Sequence, residues 1–505
     1  MPLTTANVNA SVVLVFLYYL EYMFIVSDFL ILYIRNQVRR SIQLSAEVKK
    51  MDIDGYKGRS LELLSKGGVS VGDTINVQTN DGQFTGILMP RYELADQNHV
   101  VIKLKSGYNI GVKTANIQSI TKIMQESDQN ISVETIKKEY IKEKLKEVEI
   151  LPKIALISTG GTIASKVDYR TGGVSAALSA SELYAYVPEL GKYASIDPEV
   201  ILNEYSENLK PEHWTMIANK IAEKVKSNMY RGIIVSHGTD TMHYTASALS
   251  FALQNLPIPV VIVGAQRSSD RPSSDAALNL ISATIFVTKS ELSGVFVTMH
   301  ASSSDDTIAC HVGTRVRKNH TSRRDAFESI DITPVAMIKG DRVEIQKEQS
   351  EIKLHKRNDS TSSFLVKPDF NSKAILLKYY PGFDPYLITY ATMSGYKAII
   401  VEGTGLGHIS RECFPQIQNA IESGVMICMT SQCIWGRIRM TVYDTGRDLL
   451  NIGVIPLSDM ISETATVKAM WVLANSKEIE SAKKMMQENI ANEISSVIPI
   501  TDKRI

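Results

Sequence analysis

From Lys153 onward, short apolar runs alternate with segments of helical length, and this alternation dictates the kind of sheet the chain can build. The runs IALIS, RGIIVS, PVVIVG and SGVFVTM are separated by helix-like stretches, one through Leu249 and another from about Asp275. Strands that alternate with helices specify parallel pairing, because a parallel neighbour needs a long crossover. The expected fold class is therefore α/β, with a larger domain over 151–345. Beyond residue 331 the sequence is polar and aperiodic, with two short strand candidates, so 346–372 is assigned to a linker. The alternation resumes in AILLKYY, YKAIIVEG and GVMICMTS and closes in the helical pattern TATVKAMWVLAN. That defines a second, smaller α/β domain over 373–505.

The amino-terminal third has a different grammar. Residues 51–124 hold about five short strands separated by turns, among them TINVQT, FTGILM, HVVIKLK and YNIGVK. Asn80-Asp81-Gly82 and Ser106-Gly107 are hairpin signals between alternating runs. A small β-barrel module is expected. Residues 125–150 are dense in Lys and Glu and read as a charged connecting helix. Residues 1–50 form an extra segment containing an apolar run at 11–34, followed by Arg35, Arg39 and Arg40. The run is long enough for a membrane anchor that leaves the bulk of the chain cytoplasmic, but Glu21 and Asp28 inside it are costly there. No small-residue cleavage site follows, which argues against a removed signal peptide. The remaining reading, a chain that starts at Met51, is preferred, and a membrane is not expected among the partners.

With 505 residues and a formal net charge of +1, the chain has ample length for several cores and no global pull toward a phosphate backbone. Its cysteines (Cys310, Cys413, Cys428, Cys433) match neither a CxxC pair nor a zinc site and are expected to be buried small hydrophobes. His213, His237, His300, His311 and His408 do not pair at ligand spacing on one helix, so no metal is expected.

Two strand ends carry hydroxyls and acids. Ser158-Thr159-Gly160-Gly161-Thr162-Ile163-Ala164 follows IALIS directly, and ligands of open parallel sheets bind just past such ends. Two glycines allow a sharp turn and a close approach, and would leave the Thr162 hydroxyl at the sheet edge; a plain Gly-rich turn is the alternative. Ser236-His237-Gly238-Thr239-Asp240-Thr241-Met242 follows the strand GIIV. A hydroxyl is a weak nucleophile and needs a base that a third group orients. Asp240 and a lysine from elsewhere are the candidates. Lys318, in Arg317-Lys318-Asn319-His320, acts as a base if desolvation lowers its pKa, though most lysines in so charged a run are solvated surface. The Gly403-Thr404-Gly405-Leu406-Gly407 loop reads as a tight turn or as a wall of the site or of a subunit interface.

TGGTIA and HGTDTM, about eighty residues apart, resemble the type I/II L-asparaginase family, and the likeness runs from about residue 153 to the end. The resemblance implies a Thr162 nucleophile and a second triad of Thr239, Asp240 and Lys318. It also implies Tyr169 on a flexible active-site loop, Ser206 at the substrate's α-carboxylate, and backbone groups of Gly161 and Gly238 beside the substrate. Within that family, the preceding barrel, HTSRRDAF after Lys318 and TSQC.WGR…VY.TGR are similar to the D subunits (GatD) of archaeal-type Glu-tRNA(Gln) amidotransferases. Such subunits hydrolyse glutamine or asparagine and pass ammonia to a GatE-like partner. The partner uses ATP, and Mg with it, and holds most of the Glu-tRNA(Gln). The resemblance further implies a heterodimer or heterotetramer, self-pairing of this chain, a cytoplasmic location and no cofactor bound by this chain itself. A free-standing L-asparaginase or glutaminase and a non-catalytic docking scaffold are the other readings. The intact Thr162, Thr239, Asp240 and Lys318 set speaks against the scaffold.

Overall fold

The computed structural model describes residues 55–80, 82–89, 91, 96–104, 109–123, 151–160, 165–167, 174–176, 187–267, 274–346, 352–358 and 361–496. The apolar run at 11–34 and the charged segment 125–150 lie outside the described residues. The chain divides into two compact units, one up to Ile131 and one from Ser132.

In the first unit, helix α1 (Gly58–Lys66) precedes five antiparallel strands. These are β1 (Thr74–Thr79), β2 (Gly82–Leu88), β3 (His99–Leu104), β4 (Asn109–Lys113) and β5 (Ile117–Lys122). Their order is β4-β3-β2-β1-β5, and no ladder joins β4 to β5 among the described residues. Thr79 pairs with Gly82, and the Thr79 hydroxyl donates to the Gly82 carbonyl at 2.8 Å. β1 alternates half-buried and buried residues, the mark of a strand with one face on a core. That core unites Leu64 of α1 with Ile75, Val77, Leu88, Val100, Ile102, Val112, Ile117 and Ile120, so every strand wraps the same apolar centre. Tyr56 seals one side by donating to the Met89 carbonyl at 2.7 Å.

The second unit is built on a large sheet. β6 (Lys153–Ser158), β9 (Ser195–Val200), β10 (Gly232–Ser236), β12 (Pro259–Val263) and β13 (Leu292–His300) run parallel in the order β9-β6-β10-β12-β13. β14 (Ile308–Val312), β17 (Ala336–Lys339) and β18 (Arg342–Ile345) continue it antiparallel beyond β13. Two short strands, β7 (Ser165–Val167) and β8 (Val174–Ala176), pair beside β6 in sequence. The crossovers are α2 (Pro211–Lys226), α3 (Met242–Ala252) and α4 (Ala276–Lys289). Alternate residues of each strand feed opposite faces. Ile154, Leu156, Val261 and Val263 pack with α4, and Ala155, Ile157, Val260 and Ile262 pack with α2 and α3. Both faces are covered, which is why these strands read as unbroken apolar runs.

The polar stretch after residue 331 is more ordered than its sequence suggests. β17 and β18 extend the antiparallel edge, β19 (His355–Lys356) pairs with β13, and β20 (Leu365–Val366) pairs with β11 (Leu253–Gln254). β17 lies between β14 and β18 and buries Ala336 and Ile338 in the core that α4 covers, whereas β18 and β19 bury little and are held by their ladder hydrogen bonds. Of the cysteines, Cys310, Cys413 and Cys428 are buried, but Cys433 is exposed on the loop beyond Ser431, where no core is available to take it.

The smaller domain has four parallel strands, β21 (Ala374–Lys378), β22 (Ala398–Gly403), β23 (Met426–Ser431) and β24 (Ile455–Pro456), in that order. α5 (Tyr386–Met393), α6 (Phe414–Glu422) and α7 (Asp444–Ile452) cover one face. α8 (Ser462–Asn475) and α9 (Ile479–Gln487) cover the other, in a core that also takes in Trp214, Ala248 and Phe251 of the larger domain. Phe251 stacks on Trp471 at 5.8 Å between centroids. α8 is therefore shared by both domains and is buried nearly all round from Ser462 to Ala469.

Such burial traps Lys468, which donates to the Met486 carbonyl at 3.1 Å and pairs with fully buried Glu493 at 2.5 Å. Burial holds the Lys468 pKa below its ordinary value against the pull of Glu493. Breaking such a pair costs more than the pair contributes, because the remaining charge stays buried. Glu493→Ala is expected to destabilise the unit by about 3–5 kcal/mol. Calorimetric unfolding should show Lys468→Met with Glu493→Gln recovering at least half of that loss.

Candidate active site

Three parallel strand ends meet at the carboxyl edge of the large sheet. β6 and β10 pair in register so that Ser158 sits opposite Ser236, with 3.2 Å between the two hydroxyls. Thr159 then donates twice to the Ser236 carbonyl, from its backbone N–H at 3.1 Å and from its hydroxyl at 2.9 Å. On the other side the Ser158 carbonyl accepts from Ile201 at 3.0 Å and the Thr159 carbonyl from Glu204 at 3.2 Å. Gly160 has φ +114, and a Cβ there would lie 2.4 Å from the Glu204 carbonyl oxygen, so only glycine fits. Gly160 is the last described residue before Gly161 and Thr162. Those two residues, and Tyr169, lie outside the described residues.

Ser206 opens a 3₁₀ turn (Ser206–Asn208) and is buried against the turn after β10. The Thr241 hydroxyl donates to its carbonyl at 2.6 Å, and its own hydroxyl accepts from the Thr241 N–H at 3.4 Å. A Cβ on Gly238 would approach the Ser206 Cβ to 2.9 Å, and one on Gly264 would approach the Thr239 Cγ2 to 2.8 Å. Glycines at these positions let two turns close on Thr239 from either side.

Lys318 arrives from 78 residues beyond Asp240 in the chain. It ends β15 (Val316–Lys318), which pairs with β16 (Phe327–Ser329), and Lys318 lies opposite buried Phe327. Its ammonium donates to Thr239 Oγ1 at 2.9 Å and to Asp240 Oδ1 at 2.7 Å. The lysine side chain is 9% exposed and the aspartate 68%. So open a pair adds little to stability. Its consequence is geometric: a hydroxyl, an acid and an amine within hydrogen-bond reach, the arrangement that moves a proton on and off an oxygen nucleophile.

Sequence reasoning missed the support behind this group. His237 Nδ1 lies 2.6 Å from the Gly238 carbonyl and Nε2 lies 2.8 Å from the Thr245 hydroxyl. A carbonyl only accepts, so Nδ1 carries the proton and Nε2 accepts from Thr245, whose oxygen in turn accepts the Trp214 indole N–H at 3.1 Å. His237 is thus a neutral structural link, its pKa pushed down to about 4 by burial. Arg317, the neighbour of Lys318, pairs with Glu463 of the smaller domain at 2.6 Å. No signal marks either arrangement in the sequence, since their partners lie on other elements. His213 caps α2, His311 bonds Ser329, and His300 bonds Asn279 at 2.7 Å. Among the described residues, no group of three or more His, Cys, Asp or Glu is arranged to hold a metal, and no helix is long and apolar enough to cross a membrane. The Gly403–Gly407 loop is a tight turn closed by Thr404 and His408, which exchange backbone hydrogen bonds at 2.8 and 3.0 Å.

Two outcomes follow from this geometry. Gly160→Ala should remove soluble folded protein or all activity, since the Cβ meets backbone rather than a movable side chain. His237 has a folded-state pKa of about 4 against 6.5 for the free side chain, so the unfolded chain takes up the proton first as pH falls. Its stabilising contribution is complete above pH 6.5 and is lost as pH falls through 4. The melting-temperature gap between wild type and His237→Gln should therefore shrink from about pH 7 to about pH 4.

Residues 153–351 match the N-terminal domain of asparaginases, residues 373–486 the glutaminase/asparaginase C-terminal domain, and residues 69–123 the GatD N-terminal domain. The glutamyl-tRNA(Gln) amidotransferase D subunit of Pyrococcus furiosus is 46% identical over 439 residues, covering 86% of this chain and 97% of that protein. The D subunit from Sulfurisphaera tokodaii is 44% identical, covering 88% of this chain and 96% of that one. Among solved structures, the L-asparaginase of Thermococcus kodakarensis superposes with a TM-score of 0.60 at 32% identity, covering 68% of this chain and 100% of its own. L-asparaginase I of Vibrio cholerae gives 0.59 at 27% identity, with coverages of 68% and 99%. With the amino-terminal domain, both asparaginase domains and nearly the full length of these relatives matched, the chain belongs to the GatD family of glutamyl-tRNA(Gln) amidotransferase subunits, enzymes with an asparaginase-type amidohydrolase unit.

Proposed function

We propose that this chain is the glutaminase subunit of a Glu-tRNA(Gln) amidotransferase, and that it works by double displacement at Thr162. The Thr162 oxygen attacks the side-chain amide carbon of glutamine or asparagine. The C–N bond breaks, the nitrogen takes a proton and leaves as ammonia, and an acyl-enzyme remains. Water then cleaves the ester, restoring the threonine hydroxyl and releasing the amino-acid carboxylate. Lys318, held by Asp240 and Thr239, shuttles the proton, and Tyr169 assists at the nucleophile. Ser206 receives the substrate's α-carboxylate, and backbone N–H groups at Gly161 and Gly238 stabilise the oxyanion.

The observation that carries this reading is the Lys318 ammonium set at 2.9 Å from Thr239 and 2.7 Å from Asp240 on the strand end next to the Thr159-Gly160 turn. The tRNA half of the proposal rests on the GatD relatives, matched over 97% of the first one's length. A GatE-like partner would bind Glu-tRNA(Gln), activate its γ-carboxylate with ATP and Mg, and accept the ammonia. Two copies of this chain would pair within a cytoplasmic heterotetramer; a heterodimer is the simpler form. A free-standing L-asparaginase or glutaminase is the second reading, favoured by the superposition over the whole of a solved L-asparaginase.

The test is ammonia release from glutamine by the chain from Met51, alone and with the partner, ATP and Glu-tRNA(Gln). Activity that requires the full mixture supports the amidotransferase, and equal activity alone supports the independent amidohydrolase. In whichever mixture is active, Thr162→Ala and Lys318→Ala should each lower kcat by about 10²–10⁴-fold. Full Gln-tRNA(Gln) formation from glutamine by Thr162→Ala would sink both readings.

A further inference from the structure

We propose that Arg317 and Glu463 form a positioning pair through which the smaller domain aims Lys318 at Thr239 and Asp240. The inference rests on the reading of Lys318 as the proton-transfer group and names what holds it in place. Lysine has a flexible four-carbon stem, and its partner Asp240 is too exposed to fix it unaided. Its aim must therefore come from the backbone of β15.

Side chains of a strand alternate between two sides. Val316 is fully buried and packs with Met242 and Ala246 of α3, and Lys318 shares its side of the strand, toward Thr239. Arg315 and Arg317 occupy the opposite side, and both reach carboxylates of the smaller domain. Arg315 is wholly buried, donating to Asp459 Oδ2 at 3.1 Å and to the Asn492 carbonyl at 2.8 Å. Arg317 Nε donates to Glu463 Oε1 at 2.6 Å, and its Nη1 donates to Asn319 Oδ1 at 3.1 Å. Arg317 thus grips the residue on the far side of Lys318, and Asn319 is itself held by its N–H to the Ala326 carbonyl at 2.7 Å. Glu463 sits in the first turn of α8, the helix clamped between the two domains, so its carboxylate is a fixed point.

The two arginines differ in a way that makes the second one testable. Arg315 and Asp459 are both almost fully buried, and removing either leaves an uncompensated charge in the core. Arg317 is 31% exposed and Glu463 11%, so Arg317 turns to water when its partner is lost and the fold survives. Among the described residues neither side chain bonds Thr239 or Asp240, so the route from this pair to the reaction runs by way of Lys318.

The experiment measures ammonia release and melting temperature for the full chain, in the active mixture, as Glu463→Ala, Glu463→Asp, Lys318→Ala and the Glu463→Ala/Lys318→Ala double variant. Glu463→Ala should lower kcat by about 10–100-fold with KM within about two-fold, as expected when a reacting group is displaced by an ångström. Glu463→Asp should restore part of that loss. In the Lys318→Ala background, Glu463→Ala should cost nothing further, because its effect runs through the lysine. Should Glu463→Ala not fold, Glu463→Gln, which keeps the acceptor and loses the charge, is read by the same cycle. Wild-type kcat in Glu463→Ala, or losses that multiply in the double variant, would overturn the positioning role while leaving the Lys318 reading intact. Full activity in Lys318→Ala would overturn both.

Discussion

The in-register parallel pairing of β6 with β10 is the constraint on which the site depends. It sets Ser158 beside Ser236, and the two hydrogen bonds from Thr159 to the Ser236 carbonyl then carry the pairing one residue past the sheet. A slip of one residue would turn every side chain of β6 to the opposite face, exchanging Ile154 and Leu156 for Ala155 and Ile157 in two separate cores. The register is thus enforced by burial on both faces, and the turns after the strands inherit that precision. Gly160, Gly238 and Gly264 are what the turns require to come so close, since a Cβ on each would strike backbone or a neighbouring side chain.

The site also depends on the partnership of the two α/β domains. The smaller domain supplies none of Thr239, Asp240 and Lys318, yet α8 is buried in a core that includes Trp214 and Phe251 of the larger one. Trp214 in turn donates to Thr245, which holds His237 at the start of the turn that carries Thr239 and Asp240. On the other flank, Arg315 and Arg317 tie the lysine strand to Asp459 and Glu463. Asp331 adds a further link, accepting the Gly436 N–H at 2.9 Å. Buried ion pairs are poor sources of net stability. Here they lie where the relative placement of two domains matters, and directionality is what they provide that apolar packing does not.

Much of this architecture was legible in the sequence, and the parts that were not share a cause. Alternating strand and helix patterns mark parallel strands because covering both faces of a sheet demands unbroken apolar runs. TGGTIA and HGTDTM could be placed at strand ends because glycine and hydroxyl residues after an apolar run have few other uses. The outer strand β18 and the two-residue β19 left only a weak mark because they bury little, so no apolar periodicity is needed to build them. Cys433 shows the converse: its residue type suggests a core, but its place after β23 leaves it exposed. Lys318 stood in a run of charges and became a site residue by family resemblance, since nothing in its neighbourhood distinguishes it from solvated surface.

By itself the sequence determined the fold class, the order of the elements and the residue types at each strand end, because burial periodicity and turn chemistry are local properties. The tertiary structure alone decided which of those residues meet. Lys318 reaches Thr239 and Asp240 across 79 and 78 residues, and Arg317 reaches Glu463 across 146. Hydrogen bonds and ion pairs act over a few ångströms of space with no regard for separation along the chain, so such pairings exist only once the sheets and α8 have brought their ends together.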